Sequence, residues 1–384
     1  MPERFDVIVV GGSFAGLSCA AAAAARGLRA AVLERKRDPG DAPRTTGILV
    51  KEVAERWDVP LGITRKIHGI RLYSPRLRHV DLERPGYFFL ATDTPALLRW
   101  LSKLARDSGA EVLAGLEFTG AARQAHDIVI EGHGLETPWL VGADGCHSRV
   151  ARAFDLGRNT DVLVGIEAEF EGVRGVEEDR LHCFLDPILA PGYLAWVVPG
   201  CGVTQVGLAA RPPAVPRLEP FLERIASIFD FGSARLVGRR GGPIPVGGLV
   251  RPFASPGVLL TGDAAGLVSP LTAGGIHTAL EHGRRAGQSI AEFLLDGGPH
   301  PAAVLAREYP RFRWKRRLRR ALDRILIPAL LEAVFSTPPF LAVAKGIFFH
   351  HRGLFARDAW EDLAARPPPV GAGAPRGPSS NPCG

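Results

Sequence analysis

A glycine-rich turn near the start of the chain restricts its fold more than any other feature. In the stretch FDVIVVGGSFAGLSCAAAAAARG, an apolar run over Val7–Val10 leads into glycines over Gly11–Gly16. The alanine-rich residues from Leu17 to Arg26 have high helix propensity, and Gly27 follows where a helix would stop. The next stretch, RAAVLERK, reads as a second parallel strand. A strand, a crossover helix and a strand within about 30 residues form the βαβ unit of a doubly wound sheet.

The turn is similar to the pattern G-x-G-x-x-G, in which glycines permit a tight turn and close approach to a pyrophosphate. Its three glycine slots hold Gly11, Ser13 and Gly16. Serine is small, and its hydroxyl can donate to a phosphate oxygen beside the N–H groups of the helix start. Glu34, at the end of the second strand, can accept hydrogen bonds from both ribose hydroxyls, which favours FAD or NAD. The alternative is an ordinary glycine turn without a nucleotide.

Two later segments, WLVGADGCHSRVAR and GVLLTGDAAGLVSPLTAGGIHTALEHG, favour FAD. Together with the first turn, and in the same order, they resemble the three FAD motifs of the p-hydroxybenzoate hydroxylase-like flavoprotein superfamily. The resemblance implies that Asp144 and Gly145 lie near the pyrophosphate and that Asp263 bonds the ribityl chain. The predicted cofactor-binding residues are Gly11, Ser13, Phe14, Ala15, Gly16, Glu34, Arg35, Arg44, Thr45, Asp144, Gly145, Gly262, Asp263, Pro270, Gly274, Gly275 and Ile276.

The third segment also has a physical reason to bind a flavin. Pro270, Thr272, Gly274 and Gly275 form a loop in which backbone can lie against a flat ring, because few side chains intervene. We predict a helix from about Ile276, with its positive end at this loop. Reduced flavin is anionic beside its pyrimidine carbonyl, so this helix end would stabilise the reduced state.

Within the superfamily, the third segment is more similar to the geranylgeranyl reductase branch than to the aromatic hydroxylases. It contains G-D-A-A-G, S-P-L-T and G-G-I, and Gly266 stands where hydroxylases typically have His. The stretch GYLAWVVP resembles an aromatic strand of the reductases, which implies that Tyr193 and Trp196 line a substrate cavity. The resemblance covers residues 5–290, in pieces.

The chain also departs from the reductase pattern. Those reductases often have a Cys beside the flavin in the loop after the second strand, whereas PRTTGILV places Arg44, Thr45 and Thr46 there. Arg44 can clamp a cofactor phosphate or an incoming NAD(P)H as a planar cation; the alternative is a surface arginine in a mobile loop. The helix that begins at Thr94 lacks the arginine usual in the family, and Arg99 is out of register.

The fold class predicted for the chain is α/β, with a doubly wound, Rossmann-type FAD domain, an inserted antiparallel-sheet substrate domain and a helical C-terminal region. Many short strand-like runs with turn signals indicate the inserted sheet, and the last residues are rich in Pro, Gly and Ser. The predicted boundaries are 1–66, 93–160 and 249–300 for the FAD domain, 67–92 and 161–248 for the substrate domain, 301–365 for the helical region and 366–384 for a disordered tail.

A basic segment follows the flavin motifs. RFRWKRRLRR, from Arg311 to Arg320, precedes the apolar stretch ALDRILIPALLEAVF and contributes to the formal charge of +7. This order predicts peripheral contact with an anionic membrane through residues 311–335; the alternative is the solvated face of an ordinary packing helix. The apolar runs near the C-terminus are each too short and interrupted to span a bilayer. We expect no nucleic-acid partner, because base-stacking aromatics are not interleaved with the positive charge.

We expect no metal site and assign no catalytic residue. The cysteines are scattered without a C-x-x-C pair, and His350 and His351 have no carboxylate or cysteine at ligand spacing. His147 and His277 fall inside the flavin motifs, where a histidine bonded to backbone is commoner than a general acid. The scattered cysteines and the lack of a charged leader indicate the cytoplasm, with peripheral attachment to the inner membrane face as a further expectation.

These features predict an FAD-dependent oxidoreductase resembling geranylgeranyl reductases. NAD(P)H would reduce the flavin as a transient donor, and the flavin would deliver hydride to a carbon–carbon double bond of a small apolar or lipid substrate such as a polyprenyl chain. One alternative is an FAD-dependent monooxygenase, of hydroxylase or halogenase type, that acts on an apolar or aromatic small molecule. Another is a flavin-bearing protein that binds a membrane surface without turnover.

Overall fold

The computed structural model describes residues 2–325 and 327–349. The contacts divide the chain into two compact units. The first comprises Met1–Pro43, Pro95–Val162 and Pro243–Arg319, and the second comprises Arg44–Thr94, Leu163–Gly242 and the chain from Arg320.

The helices and strands of both units are numbered in chain order. The strands are β1 (Glu3–Arg4), β2 (Val7–Val10), β3 (Ala30–Glu34), β4 (Ile48–Val50), β5 (Thr64–Ile67), β6 (Gly69–Tyr73), β7 (His79–Glu83), β8 (Phe89–Thr92), β9 (Glu111–Ala114), β10 (Ala121–Gln124), β11 (Asp127–Ile130), β12 (Leu135–Thr137), β13 (Trp139–Gly142), β14 (Val162–Glu171), β15 (Arg180–Phe184), β16 (Ala195–Pro199), β17 (Thr204–Ala210), β18 (Arg235–Pro245), β19 (Ala254–Ser255) and β20 (Val258–Leu260). The helices are α1 (Phe14–Ala24), α2 (Lys51–Arg56), α3 (Thr94–Asp107), α4 (Arg149–Ala153), α5 (Leu218–Ile225), α6 (Ile276–Asp296), α7 (Pro301–Glu308), α8 (Arg313–Ile325), α9 (Pro328–Val334) and α10 (Pro338–Phe348).

The first unit contains the predicted doubly wound sheet. Its strand order is β19-β20-β13-β2-β3-β9, and all neighbours are parallel except the edge strand β19. β2 is apolar throughout and β3 is apolar up to its last residue, Glu34; both are buried along their whole length, as expected for parallel strands covered on both faces. A second sheet of order β1-β12-β11-β10 belongs to the same unit.

Two helices of the first unit pack backbone to backbone. A Cβ at Gly283 of α6 would collide with the carbonyl oxygen of Ala15 of α1, and one at Gly287 would collide with that of Cys19. The glycines lie one helical turn apart and meet residues one turn apart on α1, so the helices run parallel. Glycine at both positions therefore permits the close approach of α1 and α6.

The second unit is built on a seven-stranded sheet of order β18-β14-β17-β16-β15-β6-β7. Within this order, the pairs β14–β17, β17–β16 and β16–β15 are antiparallel, and so is the pair β6–β7. β6 joins β15 in parallel. One face of the sheet packs against Phe221 and Ile225 of α5. The other face packs with Phe89 of β8 and with Phe335 and Phe349 near the C-terminal helices.

The units differ from the predicted domain boundaries. Residues 44–66, predicted in the FAD domain, belong to the second unit, because β4 and β5 pair with β8 on its two sides. The predicted helical region contains α7 to α10, but these helices are divided between the two units rather than forming one of their own. Residues 350–365 of that region and the predicted tail over 366–384 lie outside the described residues.

Over the described ranges, no single helix is both long and apolar enough to cross a membrane. The pair α9 and α10 passes the same test of length and composition together, with a bend of 100° between its members.

Candidate functional site

The glycine-rich turn lies between β2 and α1, at the carboxyl end of the parallel sheet. Gly11 has a φ of 108°, and a Cβ at this position would collide with the carbonyl oxygen of Ala143. A Cβ at Gly16 would collide with the carbonyl oxygen of Gly11. Only glycine therefore fits at either end of the turn, as a pyrophosphate-binding pattern requires.

Ser13, which occupies the second glycine slot, is the N-cap residue of α1. An N-cap serine commonly accepts a hydrogen bond from an N–H group of the first helical turn, but the side chain of Ser13 accepts none and is exposed. The first turn of α1 contains no acidic residue. The helix start therefore presents N–H groups, positive dipole and a serine hydroxyl together, which suits an anionic ligand. Phe14 and Ala15 form the buried side of this first turn.

Glu34 ends β3 and directs a buried carboxylate at the same turn. Its Oε2 accepts a hydrogen bond from the Gly12 N–H at 2.7 Å, and its Oε1 accepts one from the Lys36 N–H at 2.9 Å. A carboxylate oxygen can accept a further hydrogen bond, so capacity remains for two ribose hydroxyls. Sequence reasoning missed Gly12, where a Cβ would lie 2.8 Å from the Glu34 Cβ; the doubled glycine was the available signal. Arg35 is the next residue and is exposed.

Asp144 organises the loop of the second motif. Its carboxylate accepts hydrogen bonds from the Ser148 hydroxyl at 2.6 Å and from the N–H groups of Arg149 at 2.6 Å and Val150 at 3.1 Å. Burial raises the pKa of this carboxyl, although these hydrogen bonds oppose the shift. Asp144 therefore shapes its own loop and the start of α4. Gly145 follows with a φ of 85° and open space around it.

The three predicted motifs meet in the first unit. A Cβ at Gly11 would lie 3.1 Å from the Cα of Asp144, which places the first loop beside the second. A Cβ at Gly262 would lie 2.7 Å from the Cβ of Ala15, which places the third loop beside the start of α1. The structure thus brings together segments that lie more than one hundred residues apart in the sequence.

Asp263 lies in the 3₁₀ turn over Gly262–Ala265, just after β20. Burial raises the pKa of its carboxyl to about 6. Asn159 donates a hydrogen bond to the Asp263 carbonyl at 3.0 Å, and its own buried Oδ1 has no partner among the described residues. Burial raises the pKa of the Cys146 thiol to about 11, and the negative charge of Asp263 is the second cause of this shift. Cys146 belongs to the second motif and Asp263 to the third, so the two motifs interact electrostatically. A desolvated carboxyl of this kind suits a ligand that supplies hydroxyl donors.

The loop before α6 is compact, and it leads into a helix N-terminus that no side chain caps. The Ser269 N–H donates to the Gly274 carbonyl at 3.1 Å. α6 begins at Ile276, as predicted, and its N-cap Gly275 provides no side-chain cap. Since the first turn has no acidic residue either, the positive end of α6 is available to negative charge at the loop.

Arg319 supports this loop and was missed by sequence reasoning. Its side chain is 6% exposed, although it belongs to the basic segment. Its Nη1 donates a hydrogen bond to the Pro270 carbonyl at 2.7 Å. The run of similar basic residues gave no signal that this one is directed inward.

Four predicted site residues belong to the second unit. Arg44 is exposed and Thr45 is half-buried, and their cofactor contacts stay predictions. The rings of Tyr193 and Trp196 lie together, with centroids 6.5 Å apart and planes at 77°; their part in a substrate cavity is likewise a prediction. In residues 2–325 and 327–349, no group of three or more His, Cys, Asp or Glu is placed to hold a metal ion.

The residues of the first unit fit FAD. The turn from Gly11 to Gly16 leaves a cradle that side chains would fill. The start of α1 offers donors to a diphosphate, Glu34 offers acceptors to a ribose, and Asp263 offers an acceptor to a polyhydroxyl chain. The loop before α6 offers backbone and positive potential to an anionic ring.

Comparisons with known proteins agree with this assignment. Residues 6–117 match the FAD dependent oxidoreductase family. The chain is 32% identical over 321 residues to digeranylgeranylglycerophospholipid reductase 2 of Methanopyrus kandleri. The aligned region covers 76% of this chain and 78% of that protein.

Two solved structures share the fold. A geranylgeranyl bacteriochlorophyll reductase-like protein from Thermoplasma acidophilum has a TM-score of 0.74 at 22% identity, covering 89% of this chain and 98% of that one. A probable FAD-dependent monooxygenase from Pseudomonas aeruginosa has a TM-score of 0.66 at 20% identity, covering 87% of this chain and 100% of that one. Both support the α/β architecture with its Rossmann-type sheet.

Proposed function

This chain belongs to the geranylgeranyl reductase family of FAD-dependent oxidoreductases, and from that premise we propose that it reduces a carbon–carbon double bond in the polyprenyl chain of a lipid. NAD(P)H is the proposed donor that reduces the flavin. The observation that carries the proposal is the similarity to the M. kandleri reductase over three quarters of the chain. The three loops that meet in the first unit support it.

Bound FAD supplies hydride transfer through its isoalloxazine ring. The chain's own residues bind and orient that cofactor. In the proposal, Ser13 and the start of α1 hold the diphosphate, Glu34 accepts from the ribose and Asp263 accepts from the ribityl hydroxyls. The start of α6, which has no side-chain cap and no acidic residue in its first turn, would place a fixed positive potential beside the ring.

An anaerobic reoxidation experiment tests the proposal. The purified protein should carry a flavin absorption spectrum, which NAD(P)H or dithionite bleaches. Digeranylgeranylglycerophospholipid or geranylgeranyl diphosphate should then restore the oxidised spectrum, with a product two hydrogens heavier by mass spectrometry for each double bond reduced. A saturated phytanyl lipid is the matched control and should restore nothing. A protein that binds FAD but ignores both unsaturated lipids under these conditions would refute the proposal.

The monooxygenase alternative differs in its need for oxygen. Oxygen uptake coupled to NAD(P)H oxidation, with a hydroxylated or halogenated product, would select it. Gly266, where hydroxylases typically have His, favours the reductase: it has a φ of 74°, and a Cβ there would collide with the Gly248 carbonyl. A third result, liposome binding without any substrate-dependent reoxidation, would select a flavin-bearing binding protein.

We further propose that residues 311–335 contact an anionic membrane from which the lipid is taken. Arg311, Arg313 and Arg317 are exposed and pair with no described acidic residue, and Trp314 is 60% exposed. An exposed indole beside Arg313 and Arg317 on α8, with no described acidic residue paired to either arginine, suits the interface of an anionic bilayer. A cytoplasmic location remains a prediction.

Vesicle flotation tests this contact. The protein should float with vesicles of phosphatidylglycerol and not with vesicles of phosphatidylcholine, and added salt should weaken the binding. The variant R313E/W314A/R317E should stay in the bottom fraction, while R152E, which changes an exposed arginine of α4, should still float. Equal flotation of both variants would exclude the segment as the contact.

A further inference from the structure

Three residues form a row across the sheet of the second unit. Gly207 of β17 is the cross-strand partner of both Trp196 of β16 and Glu167 of β14. Directly opposed residues of antiparallel strands point to the same face. Trp196 and Glu167 are therefore two strands apart on one face, with glycine between them.

The indole of Trp196 uses the space that Gly207 leaves. A Cβ at Gly207 would lie 2.6 Å from both Cε2 and Cζ2 of the indole. The ring thus lies over the Gly207 backbone and reaches β14, where its Nε1 donates a hydrogen bond to Glu167 Oε2 at 2.6 Å. Any side chain at position 207 would block this placement.

The carboxylate that receives the indole is buried and held from several directions. The Glu167 side chain is 5% exposed. Its Oε2 also accepts a hydrogen bond from the Thr46 hydroxyl at 2.6 Å, and its Oε1 accepts one from Arg240 Nε at 2.6 Å. Arg240 pairs in addition with Glu169 Oε1 at 2.9 Å. Thr46 stands in the stretch PRTTGILV, so one carboxylate joins that loop to the aromatic strand.

We propose that Glu167 is a positioning residue: its carboxylate fixes the indole of Trp196 over Gly207 and so sets the shape of the wall against which the apolar substrate packs. The substrate part of this inference rests on the proposed function. The physical reason is that the second side-chain torsion of tryptophan is roughly two-fold, and an N–H directed at a fixed anion selects one of the two ring orientations.

The variants E167Q and E169Q make a matched pair. Each neutralises one of the two carboxylates held by Arg240, but only Glu167 touches the indole. The glutamine amide has one acceptor oxygen, so at position 167 it cannot serve Arg240 on one side and accept from Trp196 on the other. G207A is a second test that leaves every charge in place; its methyl group would press on the ring and also on the Ile166 carbonyl of β14, so its result is read together with that of E167Q.

The first measurement is structural. In protein labelled with ¹⁵N-tryptophan, the variant W196F assigns one of the six indole N–H signals to Trp196. That signal should shift in E167Q and in G207A and stay in place in E169Q. An unchanged signal in E167Q, or equal shifts in E167Q and E169Q, would overturn the positioning role. Flavin content and far-UV circular dichroism check that each variant is folded.

The second measurement is kinetic. E167Q and G207A should raise KM for the unsaturated lipid by about tenfold, the loss expected for one charge-assisted hydrogen bond, with kcat and the rate of flavin reduction by NAD(P)H nearly unchanged. E169Q should retain the wild-type KM. If the wild-type protein reduces no polyprenyl lipid, the proposed function fails, while the indole signal still decides whether Glu167 positions Trp196.

Discussion

Replacing Asp263 with Asn isolates the cost of burying a carboxyl in the candidate cofactor site. Burial raises the pKa of Asp263 from 3.8 to about 6. At 1.36 kcal/mol per pKa unit, this shift amounts to about 3 kcal/mol. Because the folded state holds the proton more tightly than the unfolded state, this stabilising contribution is complete below pH 4. It is lost as the pH rises to about 6.

Asn carries no charge, so D263N removes this pH dependence. We expect the apoprotein of D263N to exceed the wild type in free energy of unfolding by about 1 kcal/mol at pH 4.5, where the unfolded wild type is already mostly ionised, and by about 3 kcal/mol at pH 8. Its FAD affinity should fall, because Asn is a weaker acceptor than carboxylate. Urea unfolding of the FAD-free proteins from pH 4.5 to 8 measures the difference, with D41N as a control at an exposed carboxyl. A D263N protein that is less stable than the wild type at pH 8 would refute the reasoning.

Three further substitutions test the scaffold of the site. G16A should lower FAD affinity by more than about tenfold, since a methyl group would force the turn open; titration of flavin fluorescence measures this, and a wild-type Kd would contradict it. R319M removes a buried charged donor from the Pro270 carbonyl and should lower the free energy of unfolding by about 2 kcal/mol; R319K should recover part of the loss in the same urea titration, and an unchanged midpoint for R319M would refute this role. G283A should destabilise by about 1–3 kcal/mol through overpacking, whereas G346A, with nothing near its Cβ, should not; equal melting temperatures would count against the close helix contact.

The parts of the fold that are encoded locally could be predicted from the sequence. The strand over Val7–Val10 has the predicted bounds, because an apolar run followed by glycines leaves little choice. α6 begins at Ile276, directly after the last glycine of its loop. α1 begins at Phe14 rather than at Leu17. The glycine-rich turn is complete at the N-cap Ser13, so the residues from Phe14 to Gly16 already belong to the helix.

Features that depend on pairing between distant segments could not be predicted in the same way. β4 and β5 join the second unit because β8 lies between them in the sheet, and neither short strand indicates its partner. Glu167 looks like one polar position of an alternating strand, and only the cross-strand register places it beside Trp196 through Gly207. Arg319 differs from the neighbouring arginines only in the direction its side chain takes from α8.

The parallel contact of α1 and α6 has a consequence for the reach of the ligand that the two helix starts can bind together. Gly283, the eighth residue of α6, meets Ala15, the second residue of α1, so the two helix starts are staggered by six residues, or about 9 Å along their common direction. A ligand that satisfies both must be negatively charged at two places, a diphosphate and a ring, joined by a linker of matching reach. FMN lacks the adenosine half and has a single phosphate, so it can engage fewer of these groups. Both flavins join ring and first phosphate by the same ribityl linker, so the helix spacing suits either one, and preference for FAD falls to Glu34, whose carboxylate can bond the adenosine ribose that FMN lacks.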